Sequence, residues 1–353
     1  MKKKKYSTFE NLSQIMQNAA NITISDKDRF IIFSDLHMGN GSSLDDFHHN
    51  ADLFSSVIEY YYLSKNYNLI LNGDIEELQR FSLFSITRTW KKLYQLFTRF
   101  NRKKKLYKLV GNHDDQLQFI NYNPCEFPLY EALKLDYYGN ILFIFHGHQA
   151  SIIFERYNYI VKFILRYFSN PLRIRNLSVS QNSKKKFKTE KRVYNFSTRN
   201  HIISIIGHTH RPLFESLSKI DSYKFKIEEL CRNYPYQNKG EKEKTAQIID
   251  KLKKELIELQ IKRKNYRSSI YSSYLIVPSL FNSGCTIGRK GITGIEIVNG
   301  EIALVHWFDK KISTKYLHDH FTNAEHLKGT DFYRVILNKA PLDYVFTRIK
   351  LLA

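Results

Sequence analysis

Five short motifs hold nine residues of the types that bind metal ions or move protons: Asp35, His37, Asp74, Asn112, His113, Asp114, His146, His208 and His210. The motifs are SDLHMG (34–39), NGDIE (72–76), GNHDD (111–115), HGH (146–148) and GHTH (207–210). Each ends a short apolar run, and in sheets covered by helices ligands gather beyond the carboxyl ends of the strands. Residues far apart in the chain would then meet in one crevice. On an extended chain alternate side chains share a face, so His208 and His210 would point the same way, with Gly207 leaving room beside them. Carboxylate, amide and imidazole donors without a thiolate suit Mn, Fe, Zn or Co better than Ca. Singly, each motif has a plainer reading. Asp74 after Asn72-Gly73 could be a turn residue, Asn112 a helix cap, and His146 a satisfied buried histidine. Their recurrence in one context favours the shared site.

The elements that must position these residues alternate. The pattern predicts a weak helix over 7–20, then strands at 29–34, 67–74, 105–114, 140–148, 201–210 and 273–279. Helices are expected over 45–64 and 88–101. Continuous apolar strands at helical spacings imply a sheet covered on both faces. The end differs: GITGIEIVNGEIALVHWF (291–308) alternates about Asn299-Gly300, a β-hairpin signal. An α/β sandwich with mixed sheets follows.

The bulk composition fits a globular chain. Of 353 residues 42% are hydrophobic and 14% aromatic, which excludes disorder. Lys plus Arg number 55 against 34 Asp plus Glu, a formal charge of +21. That excess favours anionic partners such as nucleic acid, anionic lipid or a phosphorylated substrate. The runs Lys103–Lys105 and Lys184–Lys186 read as solvated surface. Three scattered cysteines, Cys125, Cys231 and Cys285, form no disulfide framework and no CxxC site, which points to a reducing compartment. MKKKK is followed by polar residues instead of a signal-peptide core, and no window is apolar enough to span a bilayer. A cytoplasmic location is expected, with peripheral contact at the inner face of the membrane as a further option.

The ordered set D-x-H, G-D, G-N-H-D, H-G-H and G-H-T-H resembles the five signature blocks of the calcineurin-like metallophosphoesterase superfamily, over about 30–215. NSG (282–284) and the terminal hairpin resemble its closing strands. The resemblance implies a four-layer α/β/β/α metallophosphoesterase sandwich with two mixed sheets and helical insertions. One such domain would cover 1–353, with a helical lid insertion at 151–200 and a second insertion, carrying a long charged helix over 241–264, at 215–272. It also implies two divalent metal ions, Mn2+ first, with Fe, Zn or Co as alternatives. Asp35, His37 and His210 would hold one ion, Asn112, His146 and His208 the other, and Asp74 would bridge them. A hydroxide shared by ions about 3.5–4 Å apart would attack phosphorus in line. His113 would act as the catalytic histidine on the departing oxygen, its ring oriented by Asp114.

Layout is nearest to the UDP-2,3-diacylglucosamine pyrophosphohydrolases of lipid A synthesis, which carry a helical lid between the last two blocks. The chain differs from them in His148, where they carry Asp, and in His113, where they often carry Arg. The expected substrate is a small or lipid-linked phosphoester or pyrophosphate. A nuclease, which the charge would suit, and a non-catalytic scaffold are the alternatives. No nucleic-acid module is recognisable. SIIFERYNYIVKFILRYF (151–168), with Phe163 and Phe168, reads as a helix greasy around most of its circumference. It is expected either to be sandwiched in the core or to meet acyl chains or a membrane surface, with Arg173 and Arg175 beyond it.

Overall fold

Among the described residues, branched and aromatic runs pair into thirteen strands: β1 (Ala20–Ile24), β2 (Arg29–Phe33), β3 (Asn68–Asn72), β4 (Leu106–Leu109), β5 (Leu129–Tyr130), β6 (Ala132–Tyr137), β7 (Asn140–Phe145), β8 (Ile203–Ile206), β9 (Leu280–Asn282), β10 (Ile292–Val298), β11 (Glu301–Asp309), β12 (Glu325–His326) and β13 (Phe332–Pro341). The computed structural model describes residues 8–119, 127–150, 183–217, 219–262, 276–317 and 323–353. Eight strands form one sheet, in the order β12-β13-β11-β10-β2-β3-β4-β5, and five form the other, in the order β1-β6-β7-β8-β9. Both are mixed, as expected. β2 to β5 run parallel while β10 joins β2 antiparallel. In the smaller sheet β6 and β7 are antiparallel but β7, β8 and β9 parallel.

The side-chain period of two sorts β2 into both cores. Phe30 and Ile32 share a cluster with Phe143 of β7 and Ile205 of β8, so the sheets face each other. Ile31 and Phe33 point the other way, into a cluster with Phe54, Tyr62 and Phe97 from the helices on the larger sheet. Helices Thr8–Asn18 and Ser183–Arg199 pack on the smaller sheet, through Leu12, Ile15, Val193 and Phe196. The layers run helix, sheet, sheet, helix.

Several boundaries differ from expectation. The strand expected over 273–279 is β9 instead, because Pro278 has no N–H to give a ladder and the strand starts beyond it. The single helix expected over 88–101 is two, Leu83–Thr89 and Lys91–Arg102, broken at Trp90. Ser82 caps the first of these by accepting from the Ser85 N–H. The Trp90 indole donates to the Gly39 carbonyl (2.9 Å), which turns the chain at the break. Every motif-bearing strand ends earlier than the apolar run suggests: β2 stops at Phe33, β3 at Asn72, β4 at Leu109, β7 at Phe145 and β8 at Ile206. β1, β5, β6, β12, β13 and the helix Leu342–Leu352 had no counterpart in the expected pattern.

In the second insertion, Lys219–Asn233 and Lys239–Lys262 form a helical pair. The longer one half-buries Ile248, Leu252 and Leu256. Of the expected lid, 151–182 lies outside the described residues, which includes the 151–168 stretch and Arg173 and Arg175. Cys125 does too, while Cys231 and Cys285 are free. Among the described residues no helix is long and apolar enough to cross a membrane.

Buried charge braces the larger sheet away from the motifs. Glu296 of β10, 0% exposed, accepts from Arg334 Nε of β13 (2.9 Å) and from the Tyr62 hydroxyl (2.7 Å). Tyr62 in turn accepts from the Trp307 indole (2.9 Å). The π-helical turn Val57–Leu63 presents consecutive Tyr61 and Tyr62 to this network. Removing one partner of a buried pair leaves an uncompensated charge. Arg334→Met should therefore cost about 3–5 kcal/mol in chemical denaturation. Lys65→Ala should cost less than about 1 kcal/mol, because the Lys65–Glu325 pair (3.1 Å) is half-exposed on both sides.

Candidate metal centre

All five motifs sit in the turns just past their strands, and five of their residues have left-handed backbones. These are Asp35 (φ 54°), His37 (φ 49°), Asp74 (φ 53°), His208 (φ 61°) and His210 (φ 53°). Non-glycine residues hold this conformation only when the surroundings fix it. Here neighbouring loops do so. The Asp35 N–H donates to the Gly73 carbonyl (3.1 Å), the His37 N–H to the Asp74 carbonyl (2.9 Å), and the Gly207 N–H to the His146 carbonyl (3.0 Å). His208 and His210 face the same cluster, but not through strand alternation, since β8 has ended at Ile206. A tight turn aims them.

Each central carboxylate has one oxygen held and one presented. Asp35 Oδ2 accepts from the His208 N–H (2.9 Å), and Asp74 Oδ1 from the His113 N–H (2.8 Å). That leaves Asp35 Oδ1 3.0 Å from His210 Nε2 and 3.9 Å from His37 Nε2. Asp74 Oδ2 lies 3.1 Å from His146 Nε2 and 3.8 Å from His37 Nε2. The motif glycines allow this approach. A Cβ on Gly111 would sit 2.1 Å from Asp74 Oδ1, and one on Gly207 2.6 Å from Asp35 Oδ2.

The imidazoles are fixed from behind. His146 Nδ1 lies 2.8 Å from the Asn72 carbonyl and must be the donor there, so Nε2 is the ring nitrogen turned inward. His37 Nδ1 is 3.0 Å from Glu77 Oε2, and His113 Nδ1 is 2.9 Å from Glu77 Oε1. One buried carboxylate thus holds two rings. Asp114, expected to orient His113, does something else. Its oxygens accept from the N–H groups of Ile75 (2.7 Å) and Gly111 (2.6 Å), locking two motif turns together. Glu77 was not anticipated, because "IEE" carries two adjacent acids and nothing in their types separates them. Glu76 points the opposite way, to the Tyr94 hydroxyl (2.6 Å) and the Lys108 ammonium.

Charge follows from this crowding. Burial alone would raise the Asp35 carboxyl, but His210 and His146 outweigh it and hold the pKa at about 2. Asp74 is likewise held well below the usual carboxylate range by His146 and His113 against its burial. Burial opposes charge on His113, yet Asp74 and Glu77 raise it to about 9. Burial and His146 together push His208 down to about 3. Burial, then Glu76 and Asp74, lift Asp114 to about 7.

Three groups of side chains bring their ligand atoms within 4.8 Å of one another: Asp35, His37 and His210; His37, Asp74 and His113; and Asp74, His146 and His208. Asn112 Oδ1, His146 Nε2, His208 Nε2 and Asp35 Oδ1 are buried without hydrogen-bond partners. Unmatched buried lone pairs are costly. A cation shared by them supplies what is missing, so the donor set fits divalent metal. His148, also buried, sets its ring at a tilt, 5.4 Å from that of His146.

The profile of the calcineurin-like phosphoesterase family matches residues 28–234, from the start of β2 past the GHTH turn. No curated protein sequence matches the chain.

Because Glu77 fixes two rings at once, Glu77→Gln should leave one imidazole without its acceptor. Metal affinity is expected to fall about 10–100-fold, the usual effect of losing such a partner. Titration of the metal-free protein, followed by calorimetry, measures this. An unchanged affinity would remove Glu77 from the centre.

Proposed function

The chain belongs to the calcineurin-like phosphoesterase family, and we propose that its histidine–carboxylate cluster holds two divalent ions and hydrolyses a small or lipid-linked phosphoester or pyrophosphate. Metal-dependent phosphoester hydrolysis is the activity of that family. The observation that carries the two-ion reading is the pairing of a complete donor set with buried, unmatched acceptor atoms on both sides of Asp74.

In this reading Asp35, His37 and His210 hold one ion, and Asn112, His146 and His208 the other. Asp74 serves both, since its Oδ2 faces His37 and His146 together. The bound ions supply Lewis acidity and a nucleophile from water at neutral pH. Mn2+ leads among them, with Fe, Zn and Co suiting the same donors. His113 is the acid of the reaction. Its Nδ1 is committed to Glu77, which leaves Nε2 for the departing oxygen. Glu77, held against Nδ1, favours the protonated ring. Asp114 works indirectly, by tying the turn that bears Asn112 and His113 to the turn that bears Asp74. Burial of Asp35, Asp74 and His146 means that the reacting phosphorus must enter a recess, which favours small or terminal phosphoryl groups.

Two variants test the reading in manganese-reconstituted protein with bis-p-nitrophenyl phosphate. Asp74→Ala should lose metal and turnover together, and full metal content by elemental analysis would count against the shared role. His113→Ala should keep its metal while turnover falls on the order of 10²–10⁴-fold. The loss should shrink for esters with better leaving groups, which need less protonation. An equal loss across leaving groups would reject the acid role.

A further inference from the structure

Glu190 lies on the helix Ser183–Arg199 and is 0% exposed, a place that a carboxylate holds only with partners. It accepts from the Thr209 hydroxyl (2.9 Å), from Arg211 Nε (3.1 Å) and from Arg211 Nη2. Thr209 stands between His208 and His210, and Arg211 follows His210, so the helix grips the turn that carries both histidines. A guanidinium has five N–H donors. Arg211 gives two to Glu190 and keeps its side chain 34% exposed, with its remaining donors available at the surface.

Lys186 lies one turn before Glu190 on the same helix, a spacing that stacks the two side chains on one face. The Lys184–Lys186 run is expected on solvated surface. Lys186 is half-buried instead, and among the described residues it has no hydrogen bond or ion pair. Burial pushes its pKa down, against the Glu190 and Asp35 carboxylates and in the same direction as the Arg211 guanidinium. Lys186 therefore stands on the face of the helix that grips the histidine turn. Glu190 contributes one negative charge against two positive ones. The rim thus keeps a cation that no carboxylate among the described residues pairs, since Glu190 is committed to Thr209 and Arg211.

A half-desolvated ammonium next to an anchored guanidinium is a site for an oxyanion: the fork gives two-point geometry and the ammonium a point charge. We propose that Lys186 and Arg211 form a cationic clamp at the rim of the metal centre and bind a second anionic group of the substrate, phosphoryl or carboxylate, beside the phosphorus that reacts. The clamp rests on the reading of the centre as a phosphoester hydrolase. It narrows the substrate to a phosphoester or anhydride that carries a further negative charge close to the scissile bond. Glu190 is its positioning residue, because it fixes the guanidinium and, through Thr209, the histidine turn.

Calorimetry on the manganese-loaded full chain tests this with three unreactive probes: methylphosphonate, phosphonoacetate and methylenediphosphonate. The native protein should prefer one of the two-anion probes over methylphosphonate by about tenfold, the worth of one charge-assisted hydrogen bond. Preference for methylenediphosphonate assigns a second phosphoryl group, and preference for phosphonoacetate a carboxylate. Lys186→Gln should bring the preference close to one, and Lys186→Arg should retain it. The double variant Glu190→Gln/Arg211→Gln removes the guanidinium without stranding a buried carboxylate, and should act like Lys186→Gln. Elemental analysis must show equal metal in every sample. Equal affinity for all three probes in the native protein, or a preference untouched in Lys186→Gln, overturns the clamp. Failure of the native protein to hydrolyse bis-p-nitrophenyl phosphate, with the probe preference intact, would instead reject the hydrolase and leave the clamp standing.

Discussion

Two carboxylates buried within reach of each other are the constraint from which the rest of the centre follows. Asp35 and Asp74 are almost wholly out of water, and an isolated carboxylate there would give up its charge rather than remain. Each keeps it by accepting a main-chain N–H from a neighbouring motif on one oxygen and facing imidazoles with the other. For the amides of His113 and His208 to reach those oxygens, Gly111 and Gly207 must pass with no side chain at all. The left-handed turns at Asp35, Asp74 and His208 are the same demand seen in the backbone. Glycines, turns and carboxylates form one interdependent unit.

The two sheets serve that unit by delivering its pieces to one end of the sandwich. β2, β3 and β4 lie side by side and parallel, so their turns leave the larger sheet together. β7 and β8 do the same in the smaller one. Side-chain hydrogen bonds then tie this end together. Asn72 Nδ2 donates to the Phe145 carbonyl across the sandwich (3.1 Å), and within the smaller sheet Asn282 Nδ2 donates to the Gly207 carbonyl (2.9 Å). Ser34 and Ser283 share a hydrogen bond between the same layers (2.8 Å). These small polar residues are buried and hydrogen-bonded, which ties the chain together where the ligands stand.

What could be read from the chain alone was set by range. Apolar runs ending in Asp, Asn or His are local signals, and they placed β2, β3, β4, β7 and β8 and the residues that now cluster behind them. The hairpin about Asn299-Gly300 was legible for the same reason, its turn type being written in two residues with φ of 52° and 70°. Partnerships across the fold were not legible. Glu77 and Glu76 are adjacent and alike, and only the packed structure sends one to two histidines and the other to Tyr94 and Lys108. Asp114 next to His113 suggested a pair, but a carboxylate satisfied by two backbone amides has no reason to turn to its neighbour. β13 and the Arg334–Glu296 pair depend on contacts nearly forty residues apart and left no periodic mark.

The distribution of charge carries the same lesson further. A formal charge of +21 describes the surface of this chain, yet its interior at the centre is acidic. Asp35, Asp74, Glu76, Glu77, Asp114 and Glu190 are all buried there. Each has a separate source of compensation: main-chain amides for Asp114, histidines for Asp35, Asp74 and Glu77, the ammonium of Lys108 for Glu76, the guanidinium of Arg211 for Glu190. Only the histidine-matched group can exchange its protons for metal at neutral pH, since ammonium and guanidinium groups hold theirs. The arrangement thus separates acids that bind cations reversibly from acids that brace the loops permanently. A net charge averages over both and over the solvated lysines, which is why it pointed toward anionic partners in general and to none in particular.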